Sequence, residues 1–249
     1  MTREGRIRLL VVALLITALE ALCRFGLIAP TVLIPPTEMM RSLWQILVSG
    51  QHNADIISTF RNVLVSSILA ISLGFAAGLT IHALPRLRTA IEPVLASYYA
   101  VPTFMFYPLF VVVFGVNSGA IIAIAVLLSV VSMITSTLSG LDRIPAVLHK
   151  TARVYHMTPP SRAIFIDLPA AAPHLFGGAK LAFAYALIGV IASEFILSGE
   201  GVGYAIAYAY NNFDNRVMYG LMLLVIIAAV IANAALDAVD RRLQTRLRP

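Results

Sequence analysis

Forty-eight consecutive residues, Val94 to Leu141, carry no charged side chain. As one helix this run would be about 72 Å long, more than twice the hydrocarbon thickness of a bilayer. It must therefore fold back on itself. The G-V-N-S-G of Gly115 to Gly119 has the residues of a turn. Two spans result, about 94–114 and 119–140. The first holds Tyr98, Tyr99, Pro102 and Pro108. Prolines in a span free backbone carbonyls, which is tolerable only against protein or a cavity. A single kinked span is expected there, with its two prolines shaping the helix.

Further uncharged or nearly uncharged stretches predict spans at about 9–28, 63–81, 177–197 and 217–236. The chain is 59% hydrophobic and only 12% charged, against about 25% charged in soluble domains. These features predict an all-α membrane protein with six transmembrane helices in one domain over residues 1–249. The net charge of +6 could point to nucleic acid. Its distribution points to membrane topology instead. With both termini in the cytoplasm, Arg3, Arg6, Arg8, Arg86, Arg88, Arg143, Lys150, Arg153, Arg162, Lys180, Arg241, Arg242, Arg246 and Arg248 fall inside, 14 of the 18 Lys and Arg residues. Arg24, Arg41, Arg61 and Arg216 remain at or near the outer side. This is the positive-inside bias, and it places the loop 141–176 in the cytoplasm.

The basic N-terminus and the apolar run to Leu19 could form a signal peptide. No small-x-small cleavage site follows, and Glu20 stands where a lipoprotein signal needs an apolar residue. An uncleaved first span is expected, with Glu20 and Arg24 paired at i, i+4. Cys23, the single cysteine, is read as a small residue facing lipid or a helix. Between the first two spans, Met39 to Leu47 has helical apolar spacing and predicts an amphipathic helix with Trp44 at headgroup depth. Gly74 and Gly78 form a G-x-x-x-G pattern that permits close helix approach.

The longest polar, basic stretch is Lys150 to Pro169, K-T-A-R-V-Y-H-M-T-P-P-S-R-A-I-F-I-D-L-P. Lys150, Arg153 and Arg162 face one acid, Asp167. Ala152 to Tyr155 can continue a short helix, which Pro159 and Pro160 stop. A second short helix is expected from Ser161, as N-cap, to Leu168, ended by Pro169. Two short helices and a hard turn between spans make a docking element.

No catalytic constellation is visible, so the chain is not expected to be an enzyme. There is no G-x-x-x-x-G-K-[ST] phosphate loop. His52, His82, His149, His156 and His174 lack metal-ligand spacing, and no cofactor is expected. Glu194 carries two readings: a pathway or gating residue, as an intramembrane acid, or an interfacial residue that pairs with Arg216 or caps the following loop. Tyr98, Tyr99, Pro102 and Ser193 are the other pathway candidates. For the tyrosines packing is the competing reading, and for Pro102 it is helix shaping.

The 150–169 stretch resembles the EAA loop of the permease subunits of bacterial ABC importers, whose pattern runs E-A-A, three residues, G, nine residues, I-x-L-P. The E-A-A positions fall on Lys150, Thr151 and Ala152 and the glycine on His156. Ile166, Asp167, Leu168 and Pro169 match the tail in full. The stretch Y-A-V-P-T-F-M-F-Y-P-L-F and the S-G-E-G-V-G-Y of Ser198 to Tyr204 resemble the nitrate, sulfonate and taurine branch of these permeases. The resemblance implies a type I importer permease fold in the bacterial inner membrane. It implies two ATPase subunits docked on Lys150, Thr151, Ala152, Arg153, Tyr155, His156, Met157, Thr158 and Pro159. It also implies a periplasmic or lipid-anchored binding protein and a second permease copy. The solute implied is a sulfonate-, taurine- or nitrate-like or aromatic anion, with thiamine-precursor pyrimidines or similar heterocycles as the alternative. A secondary carrier or a channel is the reading from another class; a carrier would show inverted repeats, and none is evident.

Overall fold

The computed structural model describes residues 3–247; Arg248, counted above among the inside cations, lies outside the described residues. Every regular element among them is a helix. The elements are α1 (Arg3–Arg24), α2 (Pro36–Ser49), α3 (Asn53–Ala83), α4 (Pro85–Ser97), α5 (Tyr107–Phe114), α6 (Ser118–Asp142), α7 (Ala146–Val154), α8 (Pro159–Arg162), α9 (Leu168–Leu197), α10 (Val202–Asn211) and α11 (Asn215–Leu247). Among the described residues, four helical stretches are long and apolar enough to cross a bilayer: Asn53–Ala83, Ser118–Asp142, Pro159–Ile196 and Asn215–Arg241. Pro85–Ala100 and Thr103–Phe114 meet the same test only when taken together, and they are bent by 95°; the expected first span lies on α1, which is not among these stretches.

That bend corrects the expectation of one kinked helix over 94–114. Val101 is extended (φ −87°, ψ 119°), as the residue before a proline tends to be. Pro102 is extended too (φ −67°, ψ 97°). The helical path breaks there completely. Pro108 makes no kink, because it sits in the first turn of α5, where a missing N–H costs nothing. The N-terminal half begins at Pro85, well before Val94, and so includes Arg86, Arg88 and Glu92.

The chain divides into two compact units, each made of two stretches of sequence. The first comprises 1–58 and 194–228. Its core gathers Ile46 of α2, Val202, Ala205, Ile206 and Ala209 of α10, and Met218 and Leu221 of α11. The amphipathic helix expected at 39–47 is α2, with Ser42, Leu43 and Ile46 buried and Trp44 on the opposite, exposed face. Gly50 closes it in the left-handed conformation (φ 67°). The Glu20–Arg24 pair forms at 2.6 Å. Glu20 also accepts the Thr37 backbone N–H at 3.0 Å, which caps α2 where Pro35 has no side-chain acceptor to offer.

The second unit comprises 59–193 and 229–249, and α6 is its axis. Gly74 and Gly78 let α3 approach α6 closely. A Cβ on Gly74 would stand 2.7 Å from Met133 Cβ, and one on Gly78 would stand 2.6 Å from Thr137 Cβ. Across α6, Gly189 brings α9 against the Cα of Ala125. Val63, Ile121, Ala125 and Val190 fill the space between, with a second cluster at Ile81, Ile134 and Leu138. Asn117 accepts the Gly119 N–H at 2.7 Å and starts α6. At the other end of α6, Arg88 donates to both Asp142 carboxylate oxygens, at 2.8 and 2.6 Å. Lys180 of α9 pairs with Asp237 of α11.

Candidate functional site

The loop between α6 and α9 is ordered from one end to the other by local chemistry. α7 buries Ala152. It ends in a paired hydrogen-bond closure, with His156 N–H donating to Arg153 C=O at 3.1 Å and Met157 N–H to Ala152 C=O at 3.0 Å. Such a closure needs a left-handed residue between the helix and the exit. That residue is His156, at φ 49°. It is the position on which the family pattern places glycine, so the replacement keeps the glycine-type conformation and adds a side chain to it. Thr158 is then extended (φ −67°, ψ 153°), as a residue before proline prefers, and Pro159 opens the next helix.

The second short helix expected over 161–168 does not stand alone. It starts at Pro159, Ser161 is not its N-cap, and it does not stop at Pro169. The π-helical turn Ala163–Asp167 joins α8 to α9 without a break. In it Leu168 N–H donates to Ala163 C=O, five residues back. The widened turn makes room for the Pro169 ring, which falls in the first turn of α9, where proline is tolerated. The foot of the loop is thus the foot of a 38-residue helix, Pro159–Ile196.

Asp167 ties these parts together. Its carboxylate is buried and accepts Arg162 Nε at 3.0 Å. His149 Nδ1 of α7 lies 3.7 Å from its other oxygen. Outside this tie, Lys150, Thr151, Arg153, Tyr155, His156, Thr158 and Pro159 are exposed, Met157 is half-buried and Ala152 is buried. Tyr155 is 76% exposed and Phe165 70%. The loop is a folded plug with an uncovered aromatic and basic surface. His149 and Asp167, which set its geometry, are missed by a search for ligand spacing. The signal for His149 is its i, i+4 relation to Arg153 on one face of α7.

The pathway candidates separate by unit. In the second unit, Tyr98 donates its hydroxyl to the Leu127 carbonyl of α6 at 2.5 Å. Tyr99 stacks on Tyr185 of α9 with ring centroids 5.7 Å apart. Tyr98 and Tyr99 meet edge to face at 6.0 Å. Pro102 marks the break in the helix, and Ser193 is fully buried. In the first unit, Glu194 is also fully buried and accepts the Gly203 N–H at 3.1 Å. It therefore caps the N-terminus of α10, where a carboxylate is favoured. Gly201, at φ 101°, lies directly against it. Asp55 accepts the Gly201 N–H at 3.0 Å and faces His52 Nδ1 at 3.0 Å. Ser58 donates to Glu200 at 3.2 Å. Among the described residues, no group of three or more His, Cys, Asp or Glu converges as a metal site would require.

These features define a multi-pass helical membrane protein with a folded, largely exposed basic loop between two apolar helices. Residues 70–249 match the family model of the binding-protein-dependent transport system inner membrane component. The chain belongs to that family, whose members are multi-pass proteins of the inner membrane. Among curated relatives, a probable ABC transporter permease of Brucella melitensis is 26% identical over 84% of this chain and 85% of its own. The nitrate import permease of Leptolyngbya laminosa is 22% identical over 83% and 77%. The taurine transport system permease of Escherichia coli is 22% identical over 98% and 90%. An inward-facing structure of the MetNI methionine ABC transporter matches with a TM-score of 0.68 and 19% identity, over 79% of this chain and 97% of that one. That match establishes the shared fold.

Proposed function

We propose that this chain is the membrane permease subunit of an ATP-binding-cassette importer and moves a small organic or inorganic anion. Sulfonate-, taurine- and nitrate-like solutes and aromatic acids are the leading class, and a heterocycle such as a thiamine-precursor pyrimidine is the alternative. The nitrate and taurine relatives support the anion reading. The proposed topology is six spans with both termini in the cytoplasm, in a homodimer. Two copies of a separate ATPase hydrolyse ATP, so this chain is no enzyme, and a binding protein delivers the solute.

The observation that carries the reading is the plug formed by α7 and the foot of the Pro159–Ile196 helix. Lys150, Thr151, Ala152, Arg153, Tyr155, His156, Met157, Thr158 and Pro159 are its coupling residues. A displacement of α7 reaches the spanning helix through two routes: the closed turn at His156 and the tie from His149 to Asp167. The turn at His156 is closed by two backbone hydrogen bonds, and through it movement of a docked ATPase becomes movement of a span. On the pathway side, Tyr98, Tyr99 and Pro102 line the broken third span. Ser193 and Glu194 end the fifth, where Glu194 acts by holding the start of α10.

The test is co-expression with candidate ABC ATPase subunits of the same organism, followed by ATPase assays in proteoliposomes against a panel of binding-protein ligands. A complex of two permeases and two ATPases, stimulated by one class of anion, is the expected result. A chain that captures no ATPase would return the secondary-carrier reading.

A further inference from the structure

Between α7 and α8 runs a groove lined by His149, Ala152, Arg153, His156, Met157 and Arg162. Four of the six side chains are guanidinium or imidazole groups. Residues 143–167 contain Arg143, Lys150, Arg153 and Arg162 against a single acid, Asp167. That acid is spent inside the fold on Arg162 and His149. Arg153 is exposed and forms no ion pair among the described residues. The groove wall is shaped by the closed turn at His156 and by the Arg162–Asp167 pair at 3.0 Å. Next to it in sequence, Val154 and Tyr155 are each 76% exposed. A cationic cleft beside an exposed Tyr suits a protein side chain, since Tyr and Arg are the residues that dominate protein–protein contact energies.

We infer that this groove is the seat for a carboxylate side chain of the ATPase partner, with Arg153 as its principal ligand and Arg162 held ready behind it. The inference rests on the permease reading and names the chemistry of that contact. An acidic residue of the partner enters beside Arg153. A guanidinium receives a carboxylate through two parallel hydrogen bonds. The pair forms in a partly enclosed cleft, where the charges are worth more than on an open surface. Complementary charge also steers the two proteins into register.

The experiment is a binding measurement between the detergent-solubilised full chain and its ATPase, with variants Arg153→Glu and Arg153→Gln and with single Asp/Glu→Arg changes in the ATPase. Wild-type affinity is expected to fall at least tenfold between 50 and 500 mM salt, as screening weakens the contact. Arg153→Gln should weaken binding about tenfold, and Arg153→Glu more. One Asp/Glu→Arg change in the ATPase should restore binding to Arg153→Glu while weakening binding to wild type. Unchanged melting temperatures of the variants separate loss of contact from loss of fold. Wild-type affinity for Arg153→Glu, salt-independent binding, or no rescuing ATPase variant overturns the carboxylate seat and leaves the permease reading intact. A wild-type chain that captures no ATPase overturns both. Binding of the wild-type loop to phosphatidylglycerol vesicles in preference to the ATPase would assign the groove to lipid and overturn the inference.

Discussion

Gly201 stands so close to Glu194 that a Cβ built on it would lie 2.5 Å from the carboxylate carbon. The same glycine holds φ 101°, a conformation that L side chains rarely adopt. Two requirements therefore converge on one residue of the S-G-E-G-V-G-Y stretch. The turn must bend the wrong way for a side chain, and it must pass over a buried acid. Only then can Glu194 reach the Gly203 amide.

Gly201→Ala should therefore lower stability sharply. Backbone strain alone costs about 1–3 kcal/mol at such a position, and the clash with Glu194 adds to it. The expected readout is a large drop in the detergent melting temperature and loss of monodisperse protein. Gly199, which has open space around its missing Cβ, is the control: Gly199→Ala should leave melting nearly unchanged.

Glu194→Gln keeps the shape and an acceptor oxygen at the start of α10 and replaces the carboxyl group. A cap of this kind contributes about 0.5–2 kcal/mol. Glu194→Gln is expected to lower the melting temperature by a few degrees while solute uptake per folded transporter stays within about twofold. Glu194→Ala should cost more, because it leaves a buried amide without its acceptor. A tenfold loss of uptake in a Glu194→Gln protein of normal stability would make the acid a pathway group instead of a cap.

His156 carries the left-handed conformation with a side chain attached. His156→Gly removes a penalty of about 1 kcal/mol in the folded state, partly offset by the extra freedom of glycine in the unfolded chain. His156→Val should be worse than either, because a β-branched residue at positive φ is strained. The order of melting temperatures, Gly at least equal to His and both above Val, checks this directly.

Much of the architecture was legible because lipid imposes simple rules. The uncharged runs at 63–81, 119–140, 177–197 and 217–236 lie within helices long enough to cross a bilayer, and Gly74 and Gly78 mark a close helix approach. What failed was proline. Pro102 was expected to kink a helix and instead ends it, because Val101 is pushed into extended backbone at the same point. Pro169 was expected to end a helix and instead lies inside one, because a π-helical turn precedes it. A one-dimensional reading sees the missing N–H and not the turn that absorbs it. The Asp55–Gly201 contact joins residues 146 positions apart, and no local periodicity announces such a pair. Within the loop, the pattern marked out an exposed polar stretch but not His149, whose position matters only once Asp167 folds beside it.

Asp167→Asn tests that internal tie. Asn keeps the volume and an acceptor but loses the charge that faces Arg162 and His149. Arg162 is about half exposed, so solvent already screens the pair, and a loss of only about 1 kcal/mol is expected in global stability. The local effect should be larger than the global one. α7 would be held to the long helix mainly by the His156 turn, and opening of the loop would become more frequent. Tryptic cleavage after Arg153 and Arg162 should therefore speed up several-fold, with little change in melting temperature. If the loop carries ATPase motion to the Pro159–Ile196 helix, solute-stimulated ATP turnover should fall in the same protein while ATPase binding persists. Equal cleavage rates and equal stimulated turnover in wild type and Asp167→Asn would show that the tie does not set the stiffness of the loop.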